Sequence, residues 1–491
     1  MDSRKDKLVT RRNFLKMAGL SVGLMAAAPL LQACSSGGGA PAAAPTSAPA
    51  AAPTQAAAAA PTEAAPAPTQ PSQASTATGK VTFMMNPGPE ITEAEVKMWN
   101  DAHPNWKLEV QTPDFAKLIA ATAAGTPTDV YRVQAPDVPA FIVRKMVMDL
   151  TDRFNTSKLI KMDDLADANK NYWIDEHFKA GQGKIYGMVK DWSPDLTLFI
   201  NTNMFKEAGI PVPEELHTYT YKEVHEMALK LTKKSGDKVT VVGVGGASGS
   251  WFDRVCEVMM NEQGKSLWAE DFSSISLTNP DSKAVMDYWF TLQDARATYS
   301  PVNPVTDWEG PAFQKEQLAI CQYGYWYSSM PDDPKDSKAR GHVLMLPAPT
   351  NGDKHSSPTI TATGSVVHSK TKIPDVAWEL FEWYSAGQPA KDRAVLGWGV
   401  PALKSLYPLM PQETEYQKMV QRCLQHELKM SATYVRFCPY VNAGEQFGNT
   451  FVSSYNKHVE AALKKQITFD EMLQNVEKEI NAVVKDAIAN A

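Results

Sequence analysis

Cysteine is scarce in this chain, five in 491 residues, and no Cys-x-x-Cys pair occurs. A zinc ribbon or a dithiol redox motif therefore has no support. The nine histidines are scattered, and His225-Glu226 is not followed by the second histidine of a zinc-protease helix. Clusters of basic residues are missing too. Acidic side chains outnumber basic ones 55 to 49, a formal net charge of −6, so the chain offers no positive face to nucleic acid. The apolar run from Met17 to Leu31 is shorter than the ~18 residues a spanning helix needs. Gly246-Ala247-Ser248-Gly249 fails the spacing of a nucleophile elbow, and the glycines from Gly243 to Gly249 match no dinucleotide or phosphate loop. No solenoid period and no all-β pattern is present, which argues against a tethered adhesin.

What is present begins at the N-terminus. Arg11-Arg12-Asn13-Phe14-Leu15-Lys16 carries a twin-arginine pair ahead of the apolar run, which ends in Leu31-Gln32-Ala33-Cys34. A basic start, a short apolar middle and a small residue before the cut describe an export signal over residues 1–33. Leu-x-Ala-Cys resembles the bacterial lipobox, in which the cysteine thiol receives a diacylglyceryl group. More than one acyl chain on Cys34 would hold the protein stably on a membrane. From Ser35 to Gly79 the chain reduces to Ala, Pro, Thr, Ser, Gln and Gly, with Glu63 its only charge. Such a segment cannot bury enough apolar surface to offset its ordering entropy and reads as a disordered tether. The expected location is thus outside the cell membrane, lipid-anchored, on the outer face or in a periplasm.

The body from Lys80 to Ala491 is long enough for two domains. Strand and helix signals alternate along it. Val81–Met85 and Leu108–Gln111 read as strands, as does Asp129–Val133. Between them, Thr92-x-x-Glu95 caps one helix, and Phe115, Leu118, Ile119 and Thr122 mark one face of the next. This βαβαβ order argues for an α/β fold with a mainly parallel sheet. A second alternating set follows, with a helix capped at Thr220-x-x-Glu223 and a buried strand at Val239–Val244. Asn279-Pro280-Asp281 opens another helix, Leu318–Cys321 and Val343–Leu346 are short strands, and helices start at Pro374 and at Thr468-x-x-Glu471. Four cysteines lie in the body, and they read either as buried free thiols or, for Cys423 with Cys438, as a disulfide.

The order of these segments resembles the extracellular solute-binding proteins, family 1, of ABC importers. The resemblance rests on Phe115–Ala121 leading to Ala124–Val130, Lys184–Val189, Leu198–Ile210, Gly324-Tyr325-Trp326, and Ala377–Leu380 before Gly397–Pro401. Two places depart from the family pattern, Val189 where proline is usual and Glu214 to Tyr221 where a Pro-Pro-x-Thr-Trp turn is usual. The resemblance implies a two-lobed periplasmic-binding-protein fold, type II-like, mainly parallel sheets with hinge crossovers. One lobe would run over about 80–189 and 363–396, the other over about 196–362 and 403–491, with crossovers near Lys190–Asp195, Ala362–Gly364 and Trp398–Ala402. It also implies binding without catalysis, a monomer that needs no cofactor or metal, and membrane permease subunits as partners.

All twelve tryptophans lie in the body, and an indole face suits the C–H face of a pyranose. The candidate ligand contacts are accordingly Trp326 and its neighbour Tyr325, Trp398 at the third crossover, Asp191 and Trp192 at the first, and Trp251 after the Val239–Val244 strand. Asn86, Gln134 and Asp137 join them because they follow strand ends, where open α/β sheets bind ligands. Carbohydrate, mono- or oligosaccharide, is the expected solute. The same fold binding a polyamine, a metal chelate or a peptide is the alternative, and a secreted glycosidase with paired carboxylates is the rival class. Two outcomes check the N-terminal reading. In cell fractionation, Cys34→Ser should move the exported protein from the membrane to the soluble fraction. Replacing both Arg11 and Arg12 by Lys should leave the uncleaved precursor inside the cell.

Overall fold

The computed structural model describes residues 78–489 except 89, 247–250, 307, 431–437 and 442–449. Arg11, Arg12 and Cys34, with the export signal and tether read from them, lie outside the described residues. Residues Gly79–Ala491 form one compact unit.

The alternation of the sequence becomes alternation in space. β1 (Gly79–Met84), α1 (Glu93–Ala102), β2 (Trp106–Gln111), α2 (Phe115–Ala123) and β3 (Val130–Gln134) follow in order, so β1 opens one residue ahead of the expected start of the body. Thr92 and Glu95 form the reciprocal capping box that their spacing predicts. In α2 the expected face holds at Phe115, Leu118 and Thr122, but Ile119 is 39% exposed, because one step of about 100° from Leu118 turns it off that face. β4 (Gly187–Val189), β5 (Asp191–Trp192) and β6 (Leu198–Asn201) come next. The second set comprises α3 (Tyr221–Leu231), β7 (Lys233–Ser235), β8 (Lys238–Gly245), α4 (Phe252–Glu262), α5 (Pro280–Asp294), α6 (Glu309–Gln314), β9 (Leu318–Gln322) and β10 (Val343–Leu346). β11 (Thr363–Val367), α7 (Pro374–Ala386), β12 (Val400–Pro401), α8 (Glu415–Met430), α9 (Thr450–Leu463) and α10 (Phe469–Ala489) complete the chain.

Two five-stranded sheets result, in the orders β2-β1-β3-β11-β4 and β10-β6-β9-β8-β7. Both are mixed, which corrects the expectation of mainly parallel sheets. β1 runs parallel to β2 and β3, and β8 parallel to β9, but β11 and β6 are antiparallel to both of their neighbours. The physical reason is the route of the chain. β6 and β11 each start just after the chain has crossed from the other sheet, so they run away from the junction while most of their sheet runs toward it. The second core is built on α4, α5, α9 and α10, with Phe252, Val255, Trp289, Tyr455, Leu473 and Ile480 at 1% exposure or less.

The crossings are tied to one another. β5 pairs antiparallel with β12, Asp191 opposite Pro401 and Trp192 opposite Val400. Asp195, 1% exposed, accepts from the Ser193 hydroxyl at 2.7 Å on one oxygen. On the other it accepts from the Thr361 amide and hydroxyl, both at 3.0 Å, so the first crossing grips the second. Burial pushes the Asp195 carboxyl above its ordinary pKa in spite of these bonds. Gly324 packs so tightly on this knot that a Cβ there would lie 2.2 Å from Ser193 Oγ. Ala362 is bent to φ +37°, an uncommon conformation for a residue with a side chain, and is held by a bond from its amide to Thr359 Oγ1 and by the Tyr172 hydroxyl on its carbonyl.

One boundary needs correction. The chain after β12 does not pass directly to the second lobe at Leu403. The Ala402 carbonyl accepts from the Ala166 amide and from Asn169, and the Ser405 amide and hydroxyl donate to Asp164, so 402–409 lies on the first lobe. The first contact back on the second lobe is the Pro411 carbonyl, which accepts from Gln421 of α8. All four described cysteines are buried and free, so Cys423 and Cys438 are not bridged. Asp195→Ala should lower the unfolding free energy by about 3 kcal/mol, read by chemical denaturation, because the hydrogen bonds to its buried carboxyl are lost and the Ser193 and Thr361 hydroxyls are left without their acceptor.

Candidate functional site at the junction of the two sheets

The carboxyl ends of β1 and β3 in one sheet, and of β8 and β9 in the other, lead into the residues singled out from the sequence. The two edges meet. Arg254, in the first turn of α4 and 1% exposed, donates to Gln134 Oε1 at 3.2 Å at the end of β3 and to the Ile360 carbonyl at 2.6 Å in the second crossing.

The β8/β9 edge is aromatic. Trp251 and Trp326, both half-buried, have ring centroids 6.0 Å apart at nearly right angles. Two residues that sequence reasoning passed over complete the group. Trp308 is half-buried and lies nearly parallel to Trp326 at 6.1 Å, and Tyr323 sits 5.0 Å from Trp326 and 5.5 Å from Trp251. The Trp308 indole lies across Gly310, where a Cβ would stand 2.4 Å from ring carbons, so glycine is required for this ring position. The Glu309 carboxylate accepts from the Tyr323 hydroxyl at 2.7 Å.

The β1/β3 edge is charged but internally neutralised. Glu90 accepts from Arg132 Nε at 2.9 Å and from the Asn86 amide and side chain at 3.2 and 3.0 Å. Lys190 lies 3.9 Å from Glu90 and 2.5 Å from Asp191. Burial alone would raise the pKa of Glu90, but the charges of Arg132 and Lys190 outweigh it and hold the carboxyl below its ordinary value. Asp191 therefore stands beside a lysine, and Asn86 beside Glu90, within one set of two cations and two anions.

The other candidates are placed as follows. Trp398 is half-buried between Gly397, at φ +64°, and Gly399, whose Cβ would meet Asp191 at 2.9 Å. Tyr325 is 2% exposed and accepts from Gln421 at 3.0 Å. It lies beside Gly397, so the Trp326 and Trp398 loops are neighbours. Trp192 is 4% exposed, and its indole N–H donates to the Pro401 carbonyl at 3.2 Å. Asp137, in the turn after β3, is 1% exposed, and Gln134 is 2% exposed. The structure thus brings Trp251 and Trp326 together on one edge and Asn86 and Asp191 on the other, and packs Gln134, Asp137, Trp192 and Tyr325 into the frame between them.

Glu90, Arg132, Lys190 and Arg254 left no local signal, since each partner comes from a distant element. Trp308 did leave one. It falls on no helical face, and a tryptophan immediately before a helix that opens with Glu-Gly marks a ring set off that helix beside an acid.

Residues 85–386 match the family described as bacterial extracellular solute-binding protein. No curated relative matches the chain. Among solved structures, the chain is similar to an ABC substrate-binding protein from Listeria monocytogenes in complex with cycloalternan. That match has a TM-score of 0.67 and 20% identity, and covers 83% of this chain and 99% of that one. Maltose-bound MalE3 of T. maritima matches at TM-score 0.62 and 16% identity, over 82% of this chain and 99% of that one. A solute-binding protein of an ABC transporter from Thermotoga lettingae bound with α-D-tagatose matches at 0.63 and 16%, over 83% and 100%.

Lys190, whose side chain is 3% exposed, neutralises this edge. Lys190→Met should cost about 3–5 kcal/mol of stability in guanidinium titration, because Glu90 and Asp191 would be left buried with only Arg132 to balance them.

Proposed function

The chain belongs to the bacterial extracellular solute-binding proteins, which bind rather than transform their solutes, and from that premise we propose that it captures a carbohydrate between its lobes for an ABC importer. The observation that carries the sugar reading is the group of three half-buried indoles at the carboxyl ends of β8 and β9, packed around Tyr323, whose hydroxyl donates to the Glu309 carboxylate. A pyranose ring presents an apolar C–H face that packs on an indole, and hydroxyls that a carboxylate accepts in pairs. A carboxylate left without its hydroxyls is what separates one sugar from another.

The opposite edge favours a neutral polar solute over a polyamine. Glu90 and Asp191 are already neutralised by Arg132 and Lys190, so a cation would have to displace built-in partners. We assign the ligand contacts to Trp251, Trp308, Glu309 and Trp326 on one lobe, to Asn86 and Asp191 on the other, and to Trp398 between them. Gln134, Asp137, Trp192 and Tyr325 hold the frame. Contacts to both lobes would shift an open–closed equilibrium toward closure, the form that membrane permease subunits read. A diacylglyceryl group on Cys34 and the tether after it would keep the body close to those subunits after twin-arginine export.

A thermal-shift screen of the full chain against mono- and oligosaccharides, polyamines, peptides and metal chelates tests this. A solute at a hundredfold its dissociation constant adds ~2.7 kcal/mol to the stability. We expect a sugar to shift the transition, with no product after hours, and Trp326→Ala and Trp308→Ala each to weaken it about tenfold or more. A shift from a polyamine alone would keep the fold and overturn the sugar, and consumption of the sugar would overturn binding without chemistry.

A further inference from the structure

The second crossing is reached through a strap, residues 350–362, that runs from the β10 side of one sheet to the first residue of β11 in the other. Its first half is fastened by ionisable groups. Glu262, the last residue of α4 and 2% exposed, accepts from the Asn351 amide at 2.5 Å on one oxygen and from the Ser356 amide at 2.9 Å on the other. His355 bonds Glu427 of α8 at 2.9 Å, and Glu427 is fully buried. The second half of the strap is the hinge itself. The Leu196 amide donates to Ser357 Oγ at 3.3 Å, the Asp195 amide to the Pro358 carbonyl at 3.2 Å, and Arg254 to Ile360 at 2.6 Å. Ser356 and Ser357 are adjacent, so the acid–histidine cluster and the first crossing pull on neighbouring residues.

We propose that this cluster is a proton-dependent fastener of the hinge, closed in mild acid and loosened above neutrality. The groups that face it are Tyr221 of α3, Glu262 of α4, His355 of the strap and Cys423 and Glu427 of α8, with Glu215 and Arg422 paired at the surface beyond and the exposed Lys354 beside Gly264. Tyr221 and Cys423 are pushed up by burial and stay neutral at physiological pH. Burial also drives Glu262 up to about 7, ahead of the bonds that favour its charge. For His355 burial opposes the charge, but the bond to Glu427 and the field of both carboxylates outweigh it and raise its pKa. In mild acid the cluster therefore holds a neutral Glu262, and as pH climbs past about 7 that carboxyl ionises in a buried place close to Glu427.

A group whose pKa is raised in the closed form releases stability as pH climbs from its free value to its closed value. Opening the strap returns Glu262 to water and to its ordinary pKa of 4.5, so opening gains on closure throughout the interval up to about 7 and keeps that gain, without adding to it, at higher pH. The consequence for solute capture rests on the binding reading above; the opening of the strap does not.

Amide hydrogen exchange of the full chain, without solute, is the test. After correction for intrinsic exchange, protection over 350–356 should fall about tenfold from pH 6 to pH 8. Peptides over 357–362 and 193–196 should follow the same profile. Glu262→Gln, always neutral, should flatten the profile, and Glu427→Gln should move its midpoint to lower pH. Equal protection at both pH values would overturn the proposal, as would a Glu262→Gln protein that keeps the tenfold change. A response confined to 350–356 would overturn the link to the hinge. If Glu262→Gln does not fold, an unmoved midpoint in Glu427→Gln overturns it instead.

Discussion

A chain that crosses between two sheets three times must carry backbone polar groups through a buried junction, and every one of them has to find a partner. Here much of that demand is met by the crossings themselves. Asp195 of the first accepts from Thr361 of the second, β5 of the first pairs with β12 of the third, and the Tyr172 hydroxyl holds the Ala362 carbonyl where the second crossing bends. The direction of β6 and β11, the need for glycine at 324 and the positive φ at Ala362 all follow from packing three strands through this place. The junction is also where the candidate site lies, so the frame of the site and the frame of the hinge are one structure.

The two edges that face the junction solve the same desolvation problem differently. One buries rings, whose apolar area is favourable to remove from water, and adds a single carboxylate held by Tyr323. The other buries charge, and does so in balanced pairs, Glu90 with Arg132 and Asp191 with Lys190. Balanced pairs carry little net field, which suits a solute with many hydroxyls and no charge. The acid–histidine cluster on the strap is the exception, since its protons cannot be balanced at every pH.

Sequence patterns located the elements well where the signal is local. The capping boxes at Thr92 and Thr220 and the proline start at Asn279-Pro280 open helices as read, and the strands at 318–322 and 343–346 stand within a residue of expectation. Patterns failed where a residue's place depends on the return of the chain. Nothing near Leu403 tells that Asp164 and Asn169 will hold 402–409 on the first lobe, and nothing in the strand periods tells that β6 and β11 run backwards.

By itself the sequence determined the alternation of strands and helices, the helix starts and the family resemblance. These depend on residues within a turn or two of one another, or on their order. Only the tertiary structure decided which tryptophans share a site, because Trp251, Trp308 and Trp326 come from three separate loops and meet through the pairing of β8 with β9. It alone also decided which acids are neutralised. An ion pair such as Glu90 with Arg132 is a matter of ångströms across strands, a distance that no spacing along the chain encodes.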